Sequence, residues 1–285
     1  MQLTSEGGIK NWLTELSKIN DNDCRSPGFW KPYHLVTTGL TMKRVGAKNF
    51  TLPEEFQSYA ARMKLWDSID IDPPLIVNSR NTNGRFLPVH SFNRSYRDVI
   101  SVGNKLAEVV IQTASLEYQD TINICLQELV NNFFDHANAE DNFPCLVAAQ
   151  SWPKGGIVQV AIADSGIGIR NSLSKDDSLV EELKKGNACE ISSRYGVSSK
   201  LNNGHSGYGL TLAKDLMKQA NGRFILVSGN EIFIASGDDE KALISTNPWT
   251  GTLLVLEWKM NVSLNSINVY NNWPNVEGFN ADDFF

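Results

Sequence analysis

The chain has 285 residues and 41% apolar content, enough for one or two domains with cores of their own. Its formal net charge is −6, so whole-chain electrostatics weigh against a nucleic-acid partner. The cysteines at 24, 125, 145 and 189 lack metal-ligand spacing and read as reduced thiols of a cytoplasmic protein. No apolar run reaches transmembrane length and no signal-peptide core is visible, which predicts no membrane partner.

Residues 1–20 predict one short helix with Trp12, Leu13, Leu16 and Ile19 on one side. Residues 21–32 read as a loop by their Asp, Asn, Pro and Gly content, and 33–44 as a second helix. Residues 49–52 predict a strand, and Pro53 suits the first turn of a helix reaching Trp66. Residues 69–78, broken by Pro73 and Pro74, read as extended, and this first α/β region closes near Ser95. A helix follows over 98–117, with Ile100, Leu106, Val109, Val110 and Ile111 apolar.

Residues 121–137 read T-I-N-I-C-L-Q-E-L-V-N-N-F-F-D-H-A. Ile122, Leu126, Leu129 and Phe133 recur at helical spacing and give this helix one buried stripe. Glu128, Asn132, Asp135 and His136 fall on another face, which by itself is as well explained by solvation as by a site. After a loop at 138–144 come a strand at 145–150, a hairpin turn at 152–156 and a largely buried strand at 157–163. That strand ends in D-S-G-I-G-I, which places the Asp164 carboxylate at a strand end, followed by Gly166, Gly168 and Ile169. Glycine there permits positive φ and close approach of backbone to a ligand. The stretch 170–206 is polar and loop-like, with a short amphipathic segment at 179–183. G-H-S-G-Y-G-L at 204–210 then leads into a helix running to about Asn221, which Gly222 is placed to end. A glycine-rich turn at a helix start presents unpaired amides, which suits phosphate. Strands are predicted at 224–227, 231–234 and 252–258, joined by 236–240 and 247–251. Residues 259–285 show little periodicity and predict a partly disordered tail.

Three motifs occur in order: E-x-x-x-N-x-x-D-H, D-x-G-x-G and G-x-G-L, followed by W-T-G-T-L-L-V-L-E-W at 249–258. This arrangement resembles the GHKL ATP-binding superfamily over roughly residues 97–260. The resemblance implies an α/β fold, a two-layer α+β sandwich in which a Bergerat-type mixed sheet carries helices on one face. It implies ATP and Mg²⁺ as cofactors. Asn132 matches the asparagine that binds Mg²⁺, and Glu128 the general base that activates water. Asp135 and His136 match positions bordering the nucleotide. Asp164 matches the aspartate that accepts from the adenine amine, with Gly166, Gly168 and Ile169 beside it, and Thr252 matches the threonine that supports it. Gly204, His205, Ser206, Gly207, Tyr208, Gly209 and Leu210 match the phosphate-facing turn and helix start, with 170–206 as a mobile lid. The implied organisation is an N-terminal region at 1–95, an ATP-binding domain at 96–260 and a tail at 261–285. The N-terminal region is similar to a STAS-like α/β unit, or is a structural extension packed on the ATPase core.

Three functions are compatible with these residues. The first is a regulatory ATPase whose nucleotide state controls a protein partner. The second is a protein kinase, either serine-directed as in anti-sigma factors or histidine-directed. His34 and His90 are the histidines upstream of the motif helix, and neither heads a phosphoacceptor pattern. The third is a module that binds ATP without turnover. The identity of the partner and homodimer formation stay open.

Overall fold

The computed structural model describes residues 1–19, 25–78, 82, 84–92, 96–111, 122–123, 125–130, 133, 145–197 and 208–274. Five strands form one sheet: β1 (Phe86–Phe92), β2 (Cys145–Trp152), β3 (Ile157–Ala163), β4 (Arg223–Ser236) and β5 (Asp239–Lys259). Their spatial order is β1-β2-β3-β5-β4, and each neighbouring pair is antiparallel, so the sheet is antiparallel rather than mixed. The helices are α1 (Glu6–Ser17), α2 (Pro32–Arg44), α3 (Glu54–Arg62), α4 (Tyr96–Ile111), α5 (Gly168–Leu173), α6 (Val180–Leu183), α7 (Ala188–Ser192), α8 (Gly209–Gln219) and α9 (Ser266–Tyr270). The described residues within 122–133 are also helical.

The central strands are apolar at nearly every position because both faces of the sheet are covered. Val147, Ala149, Val158, Val160, Ile162, Leu254 and Leu256 point into one core, with α4, Leu126, Leu129 and Phe133, and α8. Leu146, Ala148, Ala161, Ala163, Leu253 and Val255 point into a second core, formed with α1, α2 and α3. The period-two alternation of a strand thus separates two hydrophobic layers. The expected helices on one face are present, and the N-terminal helices cover the other.

The N-terminal segment is a helical cover: among the described residues of 1–78 there is no strand. The predicted strand at 49–52 is irregular, and its Phe50 carbonyl accepts from Trp66 Nε1 at 2.8 Å instead of from a neighbouring strand. Its attachment to the sheet is polar as well as apolar. Gln159 and Glu257 are cross-strand partners facing this layer, both wholly buried. Gln159 Nε2 donates to Glu257 Oε1 at 3.0 Å, and Gln159 Oε1 accepts from the Tyr33 amide at 3.1 Å. Lys31 Nζ donates to Glu257 Oε1 at 2.5 Å, and the Thr4 amide donates to Oε2. A buried carboxylate needs such partners, since an unpaired one is costly.

Two other expectations change. The breaks predicted near 228–230 and 247–251 are irregularities within β4 and β5, with register shifts around Gly229, so each strand runs on as one long arm of a hairpin. The end of α8 is set by Asn221, not Gly222. Asn221 takes φ 46°, the Asn221 amide donates to Lys218 O and the Gly222 amide to Met217 O at 2.8 Å, a Schellman motif.

Removing the cation from the buried pair leaves Glu257 uncompensated. Lys31→Met should cost about 3–5 kcal/mol in urea unfolding, and adding Glu257→Leu should recover much of it. Equal stability of Lys31→Met and the parent would contradict the assigned role of this pair.

Candidate functional site

β3 delivers Asp164 to its position. Ala163 is the Cα partner of Leu253, and the Asp164 amide extends the ladder by donating to Thr252 O at 2.9 Å. Beyond it the chain turns: Asp164 Oδ1 accepts from the Gly166 amide at 2.6 Å. Thr252, through its side chain and backbone, also favours the ionised form of this carboxylate. An ionised carboxylate has about four acceptor positions. The Gly166 bond alone does not fill these positions, so the carboxylate keeps acceptor capacity for a further donor.

Asp164 is only 2% exposed. Burial pushes its carboxyl up to about 7, against the opposing pull of the Gly166 and Thr252 bonds. It is therefore a poorly hydrated acceptor, and a hydrogen bond there is worth more than one in water.

Two glycines permit this packing. Gly251 has φ 91°, and a Cβ on it would lie 2.2 Å from Asp164 O. Gly168 has φ 77°, and a Cβ there would meet Ser228 Oγ at 2.7 Å. Ser228 Oγ links the two turns, accepting from the Ile169 amide at 2.8 Å and donating to Gly251 O at 2.7 Å. The Ile169 amide is thus already committed within the protein, and its side chain is in the core.

The expected lid is packed over its described part. Leu173, Leu183, Ala188, Cys189 and Ile191 are buried in the same core as α8 and the motif helix. Arg170 holds the segment together: its Nε and Nη2 donate to Glu231 Oε2 and Oε1 at 2.8 and 2.6 Å. It also donates to Leu183 O and Gly186 O, while Glu231 Oε1 accepts from the Ala188 amide at 2.7 Å. The polar composition of 170–197 suggested a loop, but three short helices each contribute a few apolar anchors.

At the other end of the site, Tyr208 precedes α8, Gly209 opens it and Leu210 packs partly buried on the core. Glu128 is exposed on the motif helix and has interactions of its own. Asn132, Asp135, His136, Gly204, His205, Ser206 and Gly207 lie outside the described residues, as does Cys24. Among the described residues, no cluster of His, Cys, Asp and Glu suits a metal ion, and no helix is long and apolar enough to cross a membrane.

Residues 93–229 match the family model of the histidine kinase-like ATPase domain. The chain carries a histidine kinase-like ATPase domain. Comparison with curated protein sequences returns no match. The matched span ends at the β4 irregularity, before β5, which brings Gly251 and Thr252 beside Asp164. The domain points to ATP binding and to ATP-using chemistry in general. Ser228, Gly251, Arg170 and Glu231 were not singled out in the sequence. Gly251 had a visible signal in the W-T-G-T run, whereas Ser228 sits in an ordinary strand segment with none.

Because burial raises the folded-state value of Asp164, its protonated form favours folding. That contribution is complete below the ordinary value of 3.8 and is lost as pH rises through about 7. Across this window the Tm of the nucleotide-free protein should therefore fall relative to that of Asp164→Asn, which cannot ionise. Parallel Tm curves for the two would contradict the burial of this carboxyl.

Proposed function

We propose that the protein is an Mg²⁺-dependent ATP-binding regulatory ATPase whose nucleotide state controls a protein partner. The observation that supports it best is the buried Asp164 carboxylate at the end of β3, held by the Gly166 amide beside Thr252 and with acceptor capacity left. Asp164 reads the adenine amine and Thr252 orients it. The start of α8 at Gly209 faces phosphate, since the first amides of a helix have no partner within the helix. Asn132 would hold Mg²⁺, which usually keeps several waters and binds mainly through substrate phosphates. When bound, the ion neutralises phosphate charge.

Glu128 is the group that decides turnover. It is exposed on the motif helix rather than consumed by the core, and in the sequence Asn132 follows it by four residues, the spacing of one helical turn. A carboxylate so placed can take a proton from water attacking a phosphate.

Glu128→Gln keeps the side chain's size but removes the base. ATP turnover by the full chain, measured as phosphate release, should fall roughly 10²- to 10⁴-fold with little change in ATP affinity. Equal turnover by parent and variant would remove Glu128 from catalysis. Asn132→Ala should weaken Mg²⁺–ATP much more than metal-free ATP in a binding titration. Equal weakening of both would show that Asn132 is a helix residue only.

A further inference from the structure

The segment after β5 returns to the ATPase core. Leu264 and Val269 are buried, at 2% and 5% exposure, and join the same hydrophobic core as α8 and the motif helix. The Asn265 amide donates to Gln219 Oε1 at 2.9 Å, which ties the entry of α9 to the end of α8. Four residues beyond Val269, Trp273 donates from Nε1 to Asp215 Oδ2 on α8 at 2.8 Å.

The Trp273 ring is the centre of an aromatic cluster. Its centroid lies 5.1 Å from Tyr195, 5.5 Å from Tyr208 and 5.1 Å from Tyr270. The Tyr195 and Tyr208 rings also lie 4.8 Å apart. Tyr195 follows α7, and Tyr208 is the residue from which α8 begins. Tyr208 has no side-chain hydrogen bond to the first amides of α8, so nothing on its own side chain caps the helix. Ring packing and the Leu212 amide bond to Tyr208 O at 2.8 Å are among the contacts that orient it. Tyr270 reaches the motif helix: burial and then the nearby Cys125 and Glu128 raise its hydroxyl above the usual range. An open pocket of about 460 Å³ is lined by Trp273 together with polar residues such as Asp215, Lys218, Asp238 and Asn272.

We propose that Trp273 is a positioning residue for the nucleotide site: docked on Tyr195 and Tyr208, it holds the start of α8 in its phosphate-facing orientation. The C-terminal segment 264–273 is then energetically coupled to ATP. Coupling of this kind is reciprocal, so ATP must stabilise the docked segment to the same degree that docking strengthens ATP binding. Anything that lifts α9 and Trp273 away would weaken the nucleotide site without touching the adenine end. This inference rests on the proposed ATP function for its ligand, but the positioning itself has a readout without nucleotide.

The test uses the full chain with Trp273→Ala and the conservative Trp273→Phe. In the nucleotide-free protein, hydrogen exchange in Trp273→Ala should rise at 188–195 and 208–214 as well as at 264–273, with Trp273→Phe intermediate. A rise confined to 264–273 would overturn the positioning role. ATP affinity should fall roughly threefold to tenfold in Trp273→Ala, the worth of about one aromatic pair, and be largely restored in Trp273→Phe. Unchanged ATP affinity alongside raised exchange at 208–214 would overturn the coupling. If the parent itself binds no ATP, the proposed function fails, while the exchange pattern still decides whether Trp273 positions α8. Should Trp273→Ala not fold, the same two readouts on Asp215→Ala decide the matter, since that variant removes the Trp273 hydrogen bond.

Discussion

The antiparallel pairing of β3 with β5 is the constraint on which the rest of the structure depends. Seven residue pairs run in register from Ile157–Lys259 to Ala163–Leu253, and both strands are buried on both faces. A slip of one residue would turn Val158, Val160 and Ile162 toward the N-terminal helices and expose Gln159 to the opposite core. It would also separate Asp164 from Thr252. The register is pinned by the one polar pair inside it: Gln159 and Glu257 find each other, Lys31 and the Tyr33 amide only in this alignment. Site and N-terminal cover are therefore specified by the same ladder, read on its two faces.

Much of this arrangement was legible in the sequence. The run I-V-Q-V-A-I-A had to be buried on both sides, because it offers no polar alternation beyond Gln159. Asp164, Gly166 and Gly168 at its end announced a turn built for close approach, and Gly168 does take positive φ. The helical spacing of Ile122, Leu126, Leu129 and Phe133 placed those side chains in the core, as found, and left Glu128 outside it. The antiparallel character of every strand pairing was not legible, because strand direction depends on connections whose paths periodicity does not record.

The failures have physical causes of the same kind. The stretch 170–197 reads as loop because its helices are too short to show periodicity, at six, four and five residues. Their order comes from tertiary contacts: a guanidinium shared between Glu231 and two carbonyls, and single leucines set into the core. The N-terminal region carries apolar residues that suit either a separate α/β unit or a cover. What decides is the sheet face left open by the ATPase helices, and that is a property of the fold rather than of any local window. Ser228 was invisible for a similar reason. Its hydroxyl matters because Gly168 and Gly251 bring two turns to it, not because of its neighbours in sequence.

The central claim is that the acceptor left on Asp164 reads an exocyclic amine. Inosine triphosphate differs from ATP in carrying a carbonyl where adenine has that amine, with the phosphates unchanged. Competition between the two nucleotides for the full chain in the presence of Mg²⁺ tests the claim directly. Placing an acceptor against the Asp164 carboxylate leaves a buried group unpaired at a cost of about 1–3 kcal/mol. The account therefore predicts that inosine triphosphate binds roughly tenfold to a hundredfold more weakly than ATP. Equal affinity for the two nucleotides would contradict it.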